Sequence, residues 1–114
     1  MGARNENLVA SALWKSIHYW SDAGYGDFGL YFLRDKQKRE VDFLVTRHGK
    51  PWFLVEVKSS GKASLSPNLA YFQKATGAEF AFQVAMDLPF QEVNCFGIDR
   101  PMIVPGLSFL GQLI

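Results

Sequence analysis

The chain predicts a mixed α/β (α+β) sheet domain. The expected order is a helix, a three-strand antiparallel meander, a second helix and a further strand, then one or two short strands. Three observations carry this. Apolar residues recur at three- and four-residue steps through the first twenty positions, the period of a half-buried helix. Three strand-like segments between residues 30 and 58 are joined by links short enough to be hairpins;. A second helical stripe then precedes another alternating run, so helix and strand interleave only once, which excludes a doubly wound sheet.

The first helix is expected over Arg4 to Trp20, with a stripe of Glu6, Ala10, Leu13, Ile17 and Trp20 that Val9 and Trp14 widen, and with Asn5 as its cap;. Ser21 to Gly29 holds three glycines and two aspartates and reads as a loop;. Leu30 to Arg34 is a short aromatic strand. In Glu40 to Arg47, alternation sends Val41, Phe43 and Val45 one way and Asp42, Leu44 and Thr46 the other;. In Trp52 to Lys58 it sets Trp52, Leu54, Glu56 and Lys58 on one face, against Phe53, Val55 and Val57;. Ser59 to Ser66 is a polar loop. Ser66 caps a second helix that begins at Pro67, buries Leu65, Leu69, Phe72 and Thr76, and stops at Gly77;. Phe80 to Val84 is a fourth strand. Val93 to Ile98 and Met102 to Val104 are expected as short strands, and Ser108 to Ile114 as a last helical turn.

With 114 residues, 48% hydrophobic and 15% aromatic, the chain makes one domain, residues 1–114, with a core of its own;. Twelve Lys and Arg against eleven Asp and Glu exclude a strongly basic nucleic-acid coat, though not a local basic patch;. One cysteine excludes a disulfide framework within the chain and any Cys-rich zinc module;. Apolar runs fall far short of the ~20 residues that cross a bilayer, and no signal segment is visible. A cytoplasmic domain without membrane contact is expected.

Three polar residues sit where a strand is usually apolar. Glu56 and Lys58 share a strand face;. If His48, Gly49 and Lys50 form the hairpin loop, Arg47 lies opposite Pro51 and Asp42 opposite Glu56, with side-chain stems ~5 Å apart. Two carboxylates side by side repel, and a divalent cation between them would offset this. Glu6, on the stripe of the first helix, would be a further costly carboxylate unless it too were paired or metal-bound.

Asp42, thirteen intervening residues, then Glu56-Val57-Lys58 resembles the Asp…Glu-x-Lys signature of the PD-(D/E)XK nuclease superfamily. Glu6-Asn7-Leu8-Val9-Ala10, Leu33-Arg34-Asp35, Arg39-Glu40-Val41-Asp42-Phe43 and Glu56-Val57-Lys58-Ser59-Ser60 look like an uncharacterised domain that follows the AAA-type ATPase module in a family of prokaryotic ATPases. The tail around Ile103-Val104-Pro105 and Phe109-Leu110 is similar too. The resemblance implies a restriction-endonuclease-like core and a Mg²⁺ or Mn²⁺ site formed by Glu6, Asp42, Glu56 and the Val57 carbonyl. Asp42, Glu56 and Lys58 would be catalytic, and Gln73 of the second helix a supporting polar group. It also implies DNA as substrate and an ATPase as covalent partner. Val41 stands where the superfamily name has proline. The chain has no Gly-rich phosphate loop, so ATP hydrolysis is not carried over.

Two classes of function follow. One is a metal-dependent DNA phosphodiesterase, with a defence or toxin–antitoxin role as a variant. The other is a catalytically silent module on the same fold that binds DNA or protein. The blander readings are a solvated ion-pair ladder for Asp42, Glu56 and Lys58, a first-turn position for Glu6, and a solvated hairpin tip for Lys36, Lys38 and Arg39 in place of phosphate contacts. Trp14, Trp20, Trp52, Phe53, Phe80 and Phe82 read as core or interface, and Cys95 as a small buried apolar residue. The aromatic content also predicts a homodimer through the first helix or the final strands.

Overall fold

The computed structural model describes residues 2–113, with side chains from Arg4 onward. The order is α1 (Gly2–Asp22), β1 (Phe28–Arg34), β2 (Glu40–Arg47), β3 (Lys50–Lys58), α2 (Pro67–Thr76), β4 (Phe80–Ala85), a 3₁₀ turn at Cys95–Gly97, β5 (Met102–Pro105) and α3 (Gly106–Gly111). The strands form one five-stranded sheet in chain order. β1, β2 and β3 are antiparallel, while β3, β4 and β5 run parallel. This is the expected mixed α+β architecture, with β5 and α3 completing it.

The sheet separates two apolar clusters. On one face Val9, Leu13 and Ile17 of α1 pack on Phe43, Val45, Phe53, Val55, Val57, Phe82 and Val84, joined by Cys95, Val104, Phe109 and Leu113. On the other, Leu69 and Phe72 of α2 cover Val41, Leu44, Leu54 and Ala81. Burying such side chains is worth roughly 1.5–3 kcal/mol each, which explains why α1 keeps its four-residue step from Val9 to Ile17. α2 begins as expected: the Ser66 hydroxyl accepts from the Asn68 N–H at 3.3 Å, and Pro67 follows. It ends at Gly77, whose φ of 77° is the left-handed cap;.

Several boundaries differ from expectation. α1 starts at Gly2, so Asn5 lies inside it and binds the Ser59 hydroxyl at 3.1 Å instead of capping. Glu6 falls beyond the first turn and is exposed. Trp14 is 56% exposed, so it flanks the stripe rather than widening it. Leu65 lies before the α2 cap and is exposed. Val93 to Ile98 is not a strand, since the 3₁₀ turn occupies it. The irregular chain there is bound by α3 side chains: Ser108 pairs with the Gln91 backbone, and the Gln112 carbonyl accepts from Cys95 N–H. The last helix is Gly106–Gly111; the expected end at Ile114 lies outside the described residues.

The β2–β3 hairpin turns through two residues, His48 and Gly49, not three. Both have positive φ, 54° and 75°, as a twist-matched two-residue hairpin requires. Arg47 therefore pairs with Lys50 and Thr46 with Pro51, but Val45 pairs with Phe53, leaving Trp52 as an extra residue. That bulge restores the register expected further along. It also turns Trp52 to the α1 face, where it packs on Trp20 and Phe28, against the expected alternation. A second irregularity lies between β1 and β2. Tyr31 pairs with Leu44 and Leu33 with Val41, so Asp42 and Phe43 together oppose Phe32;. Val41 is thereby turned to the α2 cluster, not to the face of Phe43.

Gly49 has open space where a Cβ would stand, with nothing within 4 Å. Gly49→Ala therefore isolates the left-handed backbone cost and should destabilise by roughly 1 kcal/mol. Urea unfolding should show a lower midpoint with an unchanged slope; an unchanged midpoint would contradict the turn geometry.

Candidate functional site

The bulge at Asp42–Phe43 shapes the site. The β2–β3 pairing ends at Phe43 and Val55. Beyond it the Val57 N–H donates to Asp42 Oδ2 at 2.8 Å, a side chain taking a position that backbone would otherwise fill. Glu56, between them on β3, is only 8% exposed. Burial pushes its carboxyl up to about 8, and the hydrogen bond to and repulsion from the Asp42 carboxylate add to this;. The Lys58 charge and the Asp42 backbone N–H offset part of the rise. Near neutral pH the buried Glu56 carboxyl thus keeps its proton beside Asp42.

Lys58 ends β3 half-buried, with its carbonyl accepting from Met86 N–H at 2.9 Å. Its charge reaches Glu56, yet among the described residues no ion pair within 4.0 Å joins it to either carboxylate. Glu6 lines a cleft of about 330 Å³ together with Phe32, Arg34, Glu40 and Asp42. So α1 brings Glu6 to the same opening as Asp42. No group of three or more His, Cys, Asp or Glu among the described residues is close enough to share an ion. Asp42 and Glu56 come together; Glu6 stands at the cleft wall.

The other expected residues have separate surroundings. The Gln73 amide donates to the carbonyls of Glu79 and Asp99 at 3.1 and 2.6 Å. Glu79 precedes Phe80, the partner of Phe53, so Gln73 serves a position about 10 Å along the strand from Glu56. Arg39 bends back onto its own hairpin, with Nε 2.6 Å from Asp35 Oδ2 and the guanidinium 3.6 Å over the Tyr71 ring. Desolvation raises the Asp35 carboxyl, but the Arg39 N–H, its guanidinium and the Gln37 N–H outweigh that and hold it below its ordinary value. Lys36 and Lys38 are exposed at the tip.

Gln83 is the residue the sequence reading missed. It pairs with Glu56 across β3 and β4 and is 0% exposed. Its carbonyl accepts from Ser66 N–H at 2.8 Å, and its amide donates to the Ser64 carbonyl at 3.0 Å. It fastens the β3–α2 loop to β4 at the position paired with Glu56. In Phe80-Ala81-Phe82-Gln83-Val84 a lone glutamine looks like ordinary alternation, and only its central place in the sheet marks it.

Fold and site define a mixed-sheet α+β domain with the buried carboxyl of Glu56 beside the half-buried Asp42 near one end of the sheet. The chain belongs to the family described as domain of unknown function (DUF4143), which matches residues 1–93. That span contains Glu6, Asp42, Glu56, Lys58 and all elements through β4. No curated protein and no solved structure matches the chain significantly. Among the described residues no helix is long and apolar enough to cross a membrane.

Gln83→Leu should cost roughly 1–3 kcal/mol, since it strands the Ser66 N–H and the loop carbonyls. Amide exchange at Ser66 should quicken in parallel; unchanged exchange would show that the glutamine does not hold the loop. Glu56 also makes stability depend on pH. Between its ordinary 4.5 and about 8 the folded chain keeps a proton that the unfolded chain has released. Its contribution is full below the lower value and falls as pH rises, by at most about 1.4 kcal/mol per unit. Glu56→Gln should therefore flatten the fall in stability from pH 5 to 8 measured by denaturation. A parallel slope in both proteins would disprove the proton kept by Glu56.

Proposed function

We propose that this domain is a metal-dependent phosphodiesterase of the PD-(D/E)XK nuclease kind, acting on DNA through Asp42, Glu56 and Lys58. The observation that supports it most is the juxtaposition of two acidic side chains on adjacent central strands, one of them buried, with a lysine two residues along. The order helix, meander, helix and parallel strand agrees with the resemblance that suggested this function, and Asp42 opens onto a cleft.

The donor set fits a hard divalent ion that would take the place of the Glu56 proton between two adjoining carboxyl groups. Asp42, Glu56 and the Val57 carbonyl would hold Mg²⁺ or Mn²⁺, with Glu6 reaching it directly or through water. Such an ion, when bound, acidifies water and stabilises charge on a phosphate. Lys58 would orient or deprotonate the attacking water and offset the negative charge. Lys36 and Lys38 remain candidates for backbone phosphate contact, whereas Arg39 and Gln73 are held by other partners. In this reading the domain is carried by a prokaryotic ATPase in the cytoplasm, with a homodimer as a further expectation.

A second reading is a silent module for DNA or protein on the same fold. It is favoured by the Asp42 bond to Val57 N–H, which makes the pair a structural fastening. Calorimetry with Mn²⁺ separates the two. The nuclease reading expects saturable binding that Asp42→Ala removes, and DNA cleavage that falls at least about 100-fold in Lys58→Met with folding intact. Binding without cleavage of any DNA form, or no binding at all, would leave the silent module.

A further inference from the structure

We propose that a second site, at the hairpin end of β2 and β3, binds a free nucleoside monophosphate, its base among aromatic rings and its phosphate on Arg47 and Lys50. The cleft measures about 370 Å³ and is lined by Tyr19, Trp20, Tyr25, Phe28, Arg47 and Trp52. That volume lies in the range of small-molecule pockets. Trp52 lies four residues before Glu56, about 13 Å along the strand, and on the opposite sheet face. The inference does not rest on the carboxyl pair.

One wall is rigid. Trp20, Phe28 and Trp52 contact one another with ring centroids 5.2 to 5.7 Å apart. Trp52 is backed by Phe53 at 5.0 Å and Phe96 at 5.5 Å. The other wall is open: Tyr19 and Tyr25 are each 63% exposed. The loop bearing Tyr25 is pressed onto the hairpin turn. His48 N–H donates to the Asp27 carbonyl at 2.7 Å, and a Cβ on Gly26 would stand 2.6 Å from the His48 ring. Fixed aromatic surfaces facing a gap accept a planar π-system at little ordering cost, and every base has a π-face to offer.

The charge specifies an anion. The Arg47 guanidinium lies 5.5 Å from the Trp52 ring centroid, and among the described residues no carboxylate is within 4.0 Å of it. An adjoining cleft shares Arg47 and Trp52 and adds His48, Lys50, Pro51 and Glu79. Arg47 and Lys50 together match one phosphate dianion. A nucleic-acid strand would need a series of cations. Here Glu79 borders them, Asp22 and Asp27 flank the Tyr25 loop, and the chain carries only +1. One nucleotide suits this balance better than a strand.

The test is titration of the full chain with adenosine 5′-monophosphate, followed by NMR of the three tryptophan indole N–H groups. Trp20 and Trp52 should shift saturably with Kd below about 1 mM, while Trp14, outside the cleft, should not. Adenosine should bind about tenfold more weakly, Arg47→Gln should weaken the nucleotide about tenfold, and inorganic phosphate should leave the indoles unmoved. Tyr25→Ala, at an exposed ring, should also weaken binding without disturbing the remaining spectrum. No saturation by about 10 mM, or equal affinity for adenosine and its monophosphate, would overturn the proposal. A single-stranded deoxyadenosine tetranucleotide bound tenfold more tightly than the mononucleotide would overturn the assignment to a free nucleotide.

Discussion

β2 cannot keep a single register with both of its neighbours, and both candidate sites depend on that. Against β1 it carries one residue too many at Asp42–Phe43; against β3 it carries one too few opposite Trp52. Each bulge turns a side chain over and ends regular pairing locally. At one end Val41 moves to the α2 face, and the Asp42 carboxylate takes the Val57 N–H. At the other, Trp52 moves to the α1 face and becomes the floor of an aromatic cleft. A perfectly regular hairpin would have put Trp52 beside Leu54 and Val41 beside Phe43.

The buried carboxyl of Glu56 is tolerated because its surroundings are polar in the right places. An isolated charge there would cost several kcal/mol (roughly), so the group keeps its proton, next to Asp42 and within reach of Lys58. Gln83 completes the polar island. Its carbonyl and amide are both used by the loop before α2, so a glutamine in the middle of a sheet leaves nothing unpaired. Among the described residues no buried side-chain nitrogen or oxygen lacks a partner. Gln83 is therefore satisfied as it stands, and its bonds go to the loop rather than to Glu56.

Most of the architecture was legible because it follows from periodicity and punctuation. The Val9–Leu13–Ile17 stripe, the Ser66-Pro67 start and the Gly77 stop each have one physical solution. The neighbourhood of Asp42 and Glu56 was legible too, though by compensation: a hairpin loop one residue shorter than expected is cancelled by the Trp52 bulge. What stayed hidden is what apolar residues do not announce. Val41 and Trp52 are equally content on either sheet face, so alternation cannot reveal a bulge beside them. His48 at positive φ has no glycine's signature. Trp14 extends the helical stripe in sequence but is exposed, because it lies about 100° round the helix from Leu13, off the buried line of Val9, Leu13 and Ile17.

One element reaches both ends of the sheet. α1 is 21 residues long, about 30 Å, comparable to the nine residues of β3 at ~3.3 Å each. It runs back along the sheet, so Asn5 meets Ser59 just beyond Lys58, while Tyr19 and Trp20 meet the start of β1 and the hairpin. Its middle is fixed by Val9, Leu13 and Ile17, all buried. Its first turns, which carry Glu6, overhang the end of the core, and this is why a residue at the centre of the helical stripe is exposed. The seating of three aliphatic side chains thus sets the position of Glu6 relative to Asp42 and of Trp20 relative to Trp52. The two ends are not independent pieces of surface: they are the two termini of one helix on one strand pair.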